Sequence, residues 1–291
     1  MIAAFVALAV AAGAAVSGGD PAAAARPSGT ASDPGYRFAR SLAQAGPRPA
    51  GSAAERRAHA RVERRFRAAG LRIGHDRFRV SGKGRSRNVV GVHDTPATCL
   101  VVLVAHIDSV PPAPGADDNA SGVGTLVALA PRLRAIEPTC DVWLIATGAE
   151  ERPYTGAADH LGALAAVPRV RQRRADLRFV LSLDEVGRGR RFHLRSPAPR
   201  ARPGVERAVI RAGRGAVRWV KDSGTGNSDH REFALAGLPA MKLGVPDDAC
   251  RHTACDRPGR LQARAFPLVR ATVERLLSQR SSSAVGSGRL R

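Results

Sequence analysis

VVLVAHIDS, residues 101–109, decides how this chain folds. Its apolar start shows no period-two alternation, so it reads as a core strand covered on both faces, the habit of strands in a parallel sheet. The run then stops at His106, with Asp108 two residues on. The same punctuation recurs along the chain. LIATGAEE (residues 144–151) ends on Glu150 and Glu151, and FVLSLDEVG (residues 179–187) meets Asp184 just after its apolar stretch. PGADDNASG (residues 114–122) sets Asp118 in a loop of small residues, and CRHTACD (residues 250–256) carries His252.

Outward from that strand, residues 36–70 read as helix, turn and helix. Gly46-Pro47-Arg48-Pro49-Ala50-Gly51 breaks the middle, Ser52 and Glu55 have capping-box spacing, and Gly70 is a stop. β-like stretches follow at 71–80 and 87–93, then the core strand at 100–105. Helix is expected at 120–135, 155–165, 204–213, 229–236 and 260–279, and strand at 141–147, 178–183, 216–220 and 239–244. Strands alternating with helices predict an α/β fold, a mostly parallel central sheet flanked by helices on both faces. In such sheets ligands collect beyond the carboxyl ends of the strands. His106, Asp118, Glu151, Asp184 and His252 are therefore expected at one edge. Two histidines and three carboxylates suit a pair of zinc ions better than one, and Glu150 is left over beside Glu151.

The 291 residues carry 44% apolar side chains, enough for one large globular domain, expected at 35–280 because no linker interrupts it. The net charge of +21 invites a nucleic-acid reading. Against it, aromatics are 4%, too few for base-stacking platforms. Only Lys83, Lys221 and Lys242 are lysine; the other basic residues are arginines, scattered in short clusters such as Arg188-Gly189-Arg190-Arg191. No dedicated nucleic-acid function is expected, only nonspecific attraction to acidic polymers or a membrane surface. Residues 2–12 are an uncharged apolar run of signal-peptide length, and Ala22 to Ala25 offer a small-residue cleavage site, although no basic residue precedes Arg26. Residues 1–34 are read as a signal peptide or N-terminal anchor with a spacer, residues 281–291 as a disordered tail, and the location as secreted or attached to the cell envelope.

Four cysteines agree with export. Cys99 and Cys140 each precede an expected strand, and neighbouring parallel strands would set them side by side; Cys250 and Cys255 flank His252. Of the three possible pairings, 99–140 with 250–255 is favoured. A structural zinc site is disfavoured by the lack of paired CxxC elements. There is no G-x-S-x-G elbow, and Gly224-x-Gly226 is too short for a phosphate loop.

Each candidate has an ordinary explanation when taken singly. A lone strand-end histidine is more often a hydrogen-bonded core residue than a ligand. Asp117-Asp118-Asn119 would pass for an Asx turn and helix cap, and Glu150-Glu151 for a solvated acidic pair. Together they make chemical sense. Asp108 would fix the His106 tautomer through the second ring nitrogen, and Asp118, with two oxygens, could bridge two cations. Of Glu150 and Glu151, one would bind metal while the other takes a proton from water; Gly148 would permit the turn that aims both at one place. Asp184 is preferred over Glu185 by its strand-end position.

The motifs HIDS, PGADDNASG, GAEE, SLDEVG, NSDHREF and HTACD, in this order over about residues 40–278, resemble those of the secreted di-zinc aminopeptidases of peptidase clan MH. That family includes bacterial leucyl-type aminopeptidases, and glutaminyl cyclases are relatives. The resemblance implies a zinc-aminopeptidase fold and two Zn2+ per chain. His106, Asp118 and Asp184 would serve one ion, Asp118, Glu151 and His252 the other, with Asp118 bridging and Glu150 as general base. It further implies removal of N-terminal residues from peptides with a free N-terminus, and a supporting role near the site for Asp229 and His230; the chain is expected to be a monomer. One position departs from the pattern. The family's His-Thr pair usually follows a Tyr whose hydroxyl can help hold the oxyanion; here it follows Arg251, which would replace that donor or read a substrate anion. Two other readings stay open on this scaffold: a cyclase-like acyltransferase with one zinc, which leaves His106 unused, and a non-catalytic binding domain.

Overall fold

The computed structural model describes residues 33–197 and 203–279, together with Met1. The expected leader and tail fall almost wholly at residues 2–32 and 280–291, outside the described residues. The described chain contributes eight strands to one sheet: β1 (Arg72–Val80), β2 (Gly84–His93), β3 (Leu100–His106), β4 (Asp141–Thr147), β5 (Leu177–Leu183), β6 (Phe192–Ser196), β7 (Val217–Lys221) and β8 (Ala240–Gly244). Their order is β1-β2-β4-β3-β5-β8-β6-β7. The central strands β4, β3, β5 and β8 run parallel. The flanks do not: the β1–β2 hairpin joins β4 antiparallel, and β6 joins β8 antiparallel while pairing parallel with β7. The sheet is mixed around a parallel centre. Strand β6 was not foreseen, because FHLRS is five residues long and carries His193 and Arg195, too short and too polar to show a period.

The helices are α1 (Pro34–Gln44), α2 (Ala53–Ala68), α3 (Gly122–Leu129), α4 (Leu133–Ile136), α5 (Arg152–Thr155), α6 (Leu161–Arg171), α7 (Pro203–Ala212), α8 (His230–Leu235) and α9 (Ala265–Leu277). The helix expected at 155–165 is instead two, α5 ending at a left-handed Gly156 and α6 beginning at Leu161. The one expected at 260–279 starts later, after a single turn at Pro258–Arg260. Strand β3 is buried along its whole length. Val101, Leu103 and Ala105 pack with Phe38, Val62, Leu126 and Phe266 of α1, α2, α3 and α9 on one face. Leu100, Val102 and Val104 pack with Ala163, Val167 and Phe233 of α6 and α8 on the other. Each such aliphatic side chain is worth about 1.5–3 kcal/mol of transfer free energy, which is why the non-alternating run could only be an inner strand.

Local signals explain the ends. Asp33 caps α1 by accepting from Gly35 N at 2.8 Å, with Pro34 in the first turn. Ser52 accepts from Glu55 N at 3.1 Å as expected. The other half of the capping box does not form: Glu55 turns its carboxylate to Gly51 N (2.7 Å), Ser86 Oγ (2.6 Å) and Ala149 N (3.2 Å), tying the start of α2 to the hairpin and to the loop after β4. Cys99 and Cys140 form a disulfide where β3 and β4 begin, with Leu100 paired to Asp141, and Cys250 pairs with Cys255. Among the described residues no helix is long and apolar enough to cross a membrane.

Candidate metal centre

The parallel strands deliver their carboxyl ends to one side, and the acidic and imidazole groups arrive there on five supports. His106 is the last residue of β3 and Asp184 the first after β5. Glu150 and Glu151 follow β4 through Gly148 and Ala149. The turn that aims both glutamates inward is made by Ala149, at φ 52, and not by Gly148. Gly148 is required for another reason: a Cβ there would lie 2.3 Å from Ser86 Oγ and 2.5 Å from Glu55 Oε1. Asp118 sits in an irregular turn at Ala116–Ser121, joined to Asn119 by a cis peptide. That turn is pinned from two sides. Asn119 Nδ2 donates to Leu183 O at 2.9 Å, and the Asp256 carboxylate accepts from Asp117 N (2.8 Å) and Asp118 N (3.0 Å). His252 lies in the loop closed by Cys250 and Cys255, at φ 61.

The side chains converge into two donor trios that share Asp118: His106, Asp118 and Asp184, and Asp118, Glu151 and His252, with ligand atoms in each trio within 4.8 Å of one another. His106 Nε2 stands 3.0 Å from Asp118 Oδ1 and 3.5 Å from Asp184 Oδ1; His252 Nε2 stands 2.8 Å from Glu151 Oε2 and 3.3 Å from Asp118 Oδ2. Glu150 lies alongside, its Oε2 4.0 Å from His106 Nε2, and with His106 and Glu151 it makes a third possible trio. Asp118, Glu150, Glu151, Asp184 and His252 wall a cleft of about 150 Å³, where Arg152, Asn227 and Arg251 join them.

The electrostatics are those of a site built around positive charge. Burial pushes the Glu150 carboxyl well up, and burial with Asp118 beside it lifts Glu151 to about 7. Burial also opposes charge on Asp118, but hydrogen bonds from His106 and His252 outweigh it and hold that carboxyl below the usual range. Asp118 and Glu151 raise His252 to about 10. Buried oxygens are left without a hydrogen-bond partner among the described residues, Asp184 Oδ1 and Glu151 Oε1 both belonging to the trios. Unpaired buried acceptors are costly, and a cation held by the trios would satisfy them. The residues present therefore fit one or two divalent metal ions.

Two expectations about neighbours need correcting. Asp108 does not hydrogen-bond the second nitrogen of His106; the closest approach is 3.6 Å. Its carboxylate instead accepts from Glu150 N (3.1 Å) and Glu151 N (3.0 Å), so it orients the two-glutamate turn. His230 points away from the trios and pairs with Asp222, while Asp229 is buried nearby and accepts from Thr147 Oγ1 at 2.8 Å. Burial raises the Asp229 carboxyl to about 7. Arg251 does face the cleft, its guanidinium 3.8 Å from Glu185. Sequence reasoning missed other members. Lys242, fully buried in β8, places Nζ 2.8 Å from Asp184 Oδ2 and 3.3 Å from Glu185 Oε2. His160 bridges Glu232 (2.8 Å) and Glu150 (3.4 Å). Buried Arg48 donates to Ile107 O (2.7 Å), Pro114 O (2.6 Å) and Gly115 O (2.9 Å), holding the loop between β3 and the Asp118 turn. The one signal for Asp256 was its place in the quoted CRHTACD segment.

Comparison with known proteins bears on the fold and the family. Residues 88–277 match the model of peptidase family M28. Aminopeptidase YwaD of Bacillus subtilis is 31% identical over 105 residues, 35% of this chain and 22% of that protein. The chain's matches span about a fifth to a third of the length of its curated relatives. Among solved structures, the zinc aminopeptidase BSAP of Bacillus subtilis superposes with a TM-score of 0.72 at 15% identity, over 86% of this chain and 95% of that one. A glutaminyl cyclase from Fimbriiglobus ruber gives 0.75 at 16% identity, over 91% and 100%. These likenesses carry the fold, and the family match runs from β2 to the last turn of α9, across all five of the donors. The chain belongs to peptidase family M28.

Proposed function

We propose that this chain is an extracytoplasmic zinc exopeptidase that removes N-terminal residues from peptides, a single catalytic unit over residues 35–280 acting as a monomer. The observation that carries the reading is the pair of donor trios joined through Asp118, with Glu150 beside them. His106, Asp118 and Asp184 would hold one zinc ion, and Asp118, Glu151 and His252 the second. Bound there, the metal would supply Lewis acidity toward the scissile carbonyl and toward water. The protein's own groups do the rest. Glu150 takes the proton from the attacking water and delivers it to the leaving amine. Acidic groups around the cleft favour the substrate's α-ammonium. Arg251, at the cleft wall, donates to the developing oxyanion or holds a substrate anion. Two disulfides support an oxidising location.

The test is hydrolysis of a panel of aminoacyl-p-nitroanilides by the purified protein, with a chelator and with zinc restored, alongside metal content. Chelator-sensitive, zinc-restored activity at close to two metals per chain is the expected result; two bound metals without hydrolysis of any member would refute it. The structural likeness to a glutaminyl cyclase gives a second reading, an acyltransferase with one zinc. A peptide with N-terminal Gln included in the panel separates the two: cyclisation at one metal per chain, without N-terminal cleavage, selects the cyclase.

A further inference from the structure

The β1–β2 hairpin carries charge in a pattern that the metal centre does not explain. In its register Arg77 stands directly opposite Arg87, and Arg79 opposite Arg85. Opposed residues of an antiparallel pair share a face, as do residues two apart along a strand. Four arginines therefore crowd one side of the ribbon, an arrangement that destabilises the pair when nothing offsets it. Counter-charge is thin. Glu63 reaches Arg87 at 3.2 Å but is shared with Arg67 and His75. The Glu55 carboxylate is occupied by Ser86, Gly51 N and Ala149 N. The guanidinium groups of Arg77, Arg79 and Arg85 have no hydrogen-bond or ion-pair partner among the described residues. This face and the start of α2 border a cavity of about 400 Å³, lined by Arg56, Arg77, Arg85 and Arg87 with buried His59, Ser86 and Glu55 behind them, the Glu55 carboxylate being turned to Ser86 Oγ, Gly51 N and Ala149 N. No residue of it belongs to the metal cleft.

We propose that this cavity binds a soluble oligophosphate. Guanidinium forks match phosphate oxygens in bidentate geometry. A phosphate group offers three strong acceptors and up to two charges, so one group can bridge arginines from both strands and from α2, where a carboxylate would leave donors unused. The site is concave, which suits a ligand that enters it better than a flat bilayer.

The experiment titrates sodium tripolyphosphate into the full chain by calorimetry at low salt, and follows Tm with and without it. Two triple variants are compared: Arg56→Ser with Arg77→Ser and Arg85→Ser at the cavity, and Arg190→Ser with Arg207→Ser and Arg211→Ser, exposed residues toward the opposite edge of the sheet. Each removes three positive charges. Saturable binding near one per chain is expected for the wild type and the distant triple, with at least a tenfold weaker Kd and no ligand-induced rise in Tm for the cavity triple. Arg56 gives up its bond to Gly51 O (2.8 Å) in the cavity triple, so the ligand-free Tm of each triple is read first and shows that it is folded. Equal weakening in both triples would reduce the effect to bulk charge. Equally effective competition by poly-glutamate, or binding to phosphatidylglycerol vesicles that tripolyphosphate does not displace, would also overturn the proposal.

Discussion

At the scale of single residues, the site separates groups with interchangeable neighbours from groups without any. Glu150 touches the donors but lies outside both trios that share Asp118. Glu150→Gln should therefore lower kcat by about 10²–10⁴-fold, the worth of a general base, with metal content unchanged in the same preparation; loss of metal in parallel would make it a ligand instead. Arg251→Ala should lower kcat/KM for a plain aminoacyl amide, and an unchanged value would remove it from oxyanion stabilisation. Lys242 behaves differently, because it neutralises Asp184 and Glu185 in the interior. Lys242→Met leaves a buried carboxylate without its partner and should cost about 3–5 kcal/mol in denaturant unfolding, much of it recovered when Glu185→Met is added. These cases also mark what could be read in advance. His106, Glu151 and Asp184 were legible as candidates because each closes or follows an apolar run, and Asp118 and His252 because of the small-residue and cysteine-bracketed segments that carry them. Lys242 was not: inside AMKLG it looks like a residue on a solvated strand face, and only the β5–β8 pairing, which joins segments far apart in sequence, reveals its carboxylate partners. Asp108 was found for the wrong contact, since its bonds run to backbone N–H groups that no side-chain pattern announces.

At the scale of elements, the parallel centre was legible from hydrophobic runs alone, whereas the flanks were not. Strand β6 is too short and too polar for a period, and the antiparallel hairpin announces itself only through its turn. The irregular segment before α3 was expected as a plain loop; its fixed shape comes from tertiary bonds to Leu183 and Asp256. Helix α3 presses on the end of β5 so closely that a Cβ at Gly122 would lie 2.0 Å from Leu183 O. Gly122→Ala should cost about 1–3 kcal/mol by forcing the two elements apart. It should also weaken zinc retention on dialysis, because Asp118 and Asp184 sit on the segments being separated. A stability loss with full zinc retention would show that the two loops move as one.

At the scale of the whole molecule, proton and metal binding are coupled. Without metal, His252 is raised to about 10 and Glu151 to about 7, so the folded chain holds protons that the unfolded chain releases earlier. The stability that the Glu151 proton confers is fully present below pH 4.5 and is lost as pH rises through 7, and that of the His252 proton is fully present below pH 6.5 and is lost as pH rises through 10. The chelated protein should therefore show a falling Tm across that window. Zinc must expel the same protons, so its affinity should rise with pH over the same range, and calorimetry in buffers of different ionisation enthalpy should report proton release on binding. A proton count of zero would exclude this coupling. The loop that carries His252 adds a matter of timing. It is shut by its own cysteine pair, and Asp256 just beyond that pair holds the backbone of the Asp118 turn. A newly made chain whose thiols are still reduced would lack the clasp that sets both His252 and Asp118, and would reach working order only after oxidation.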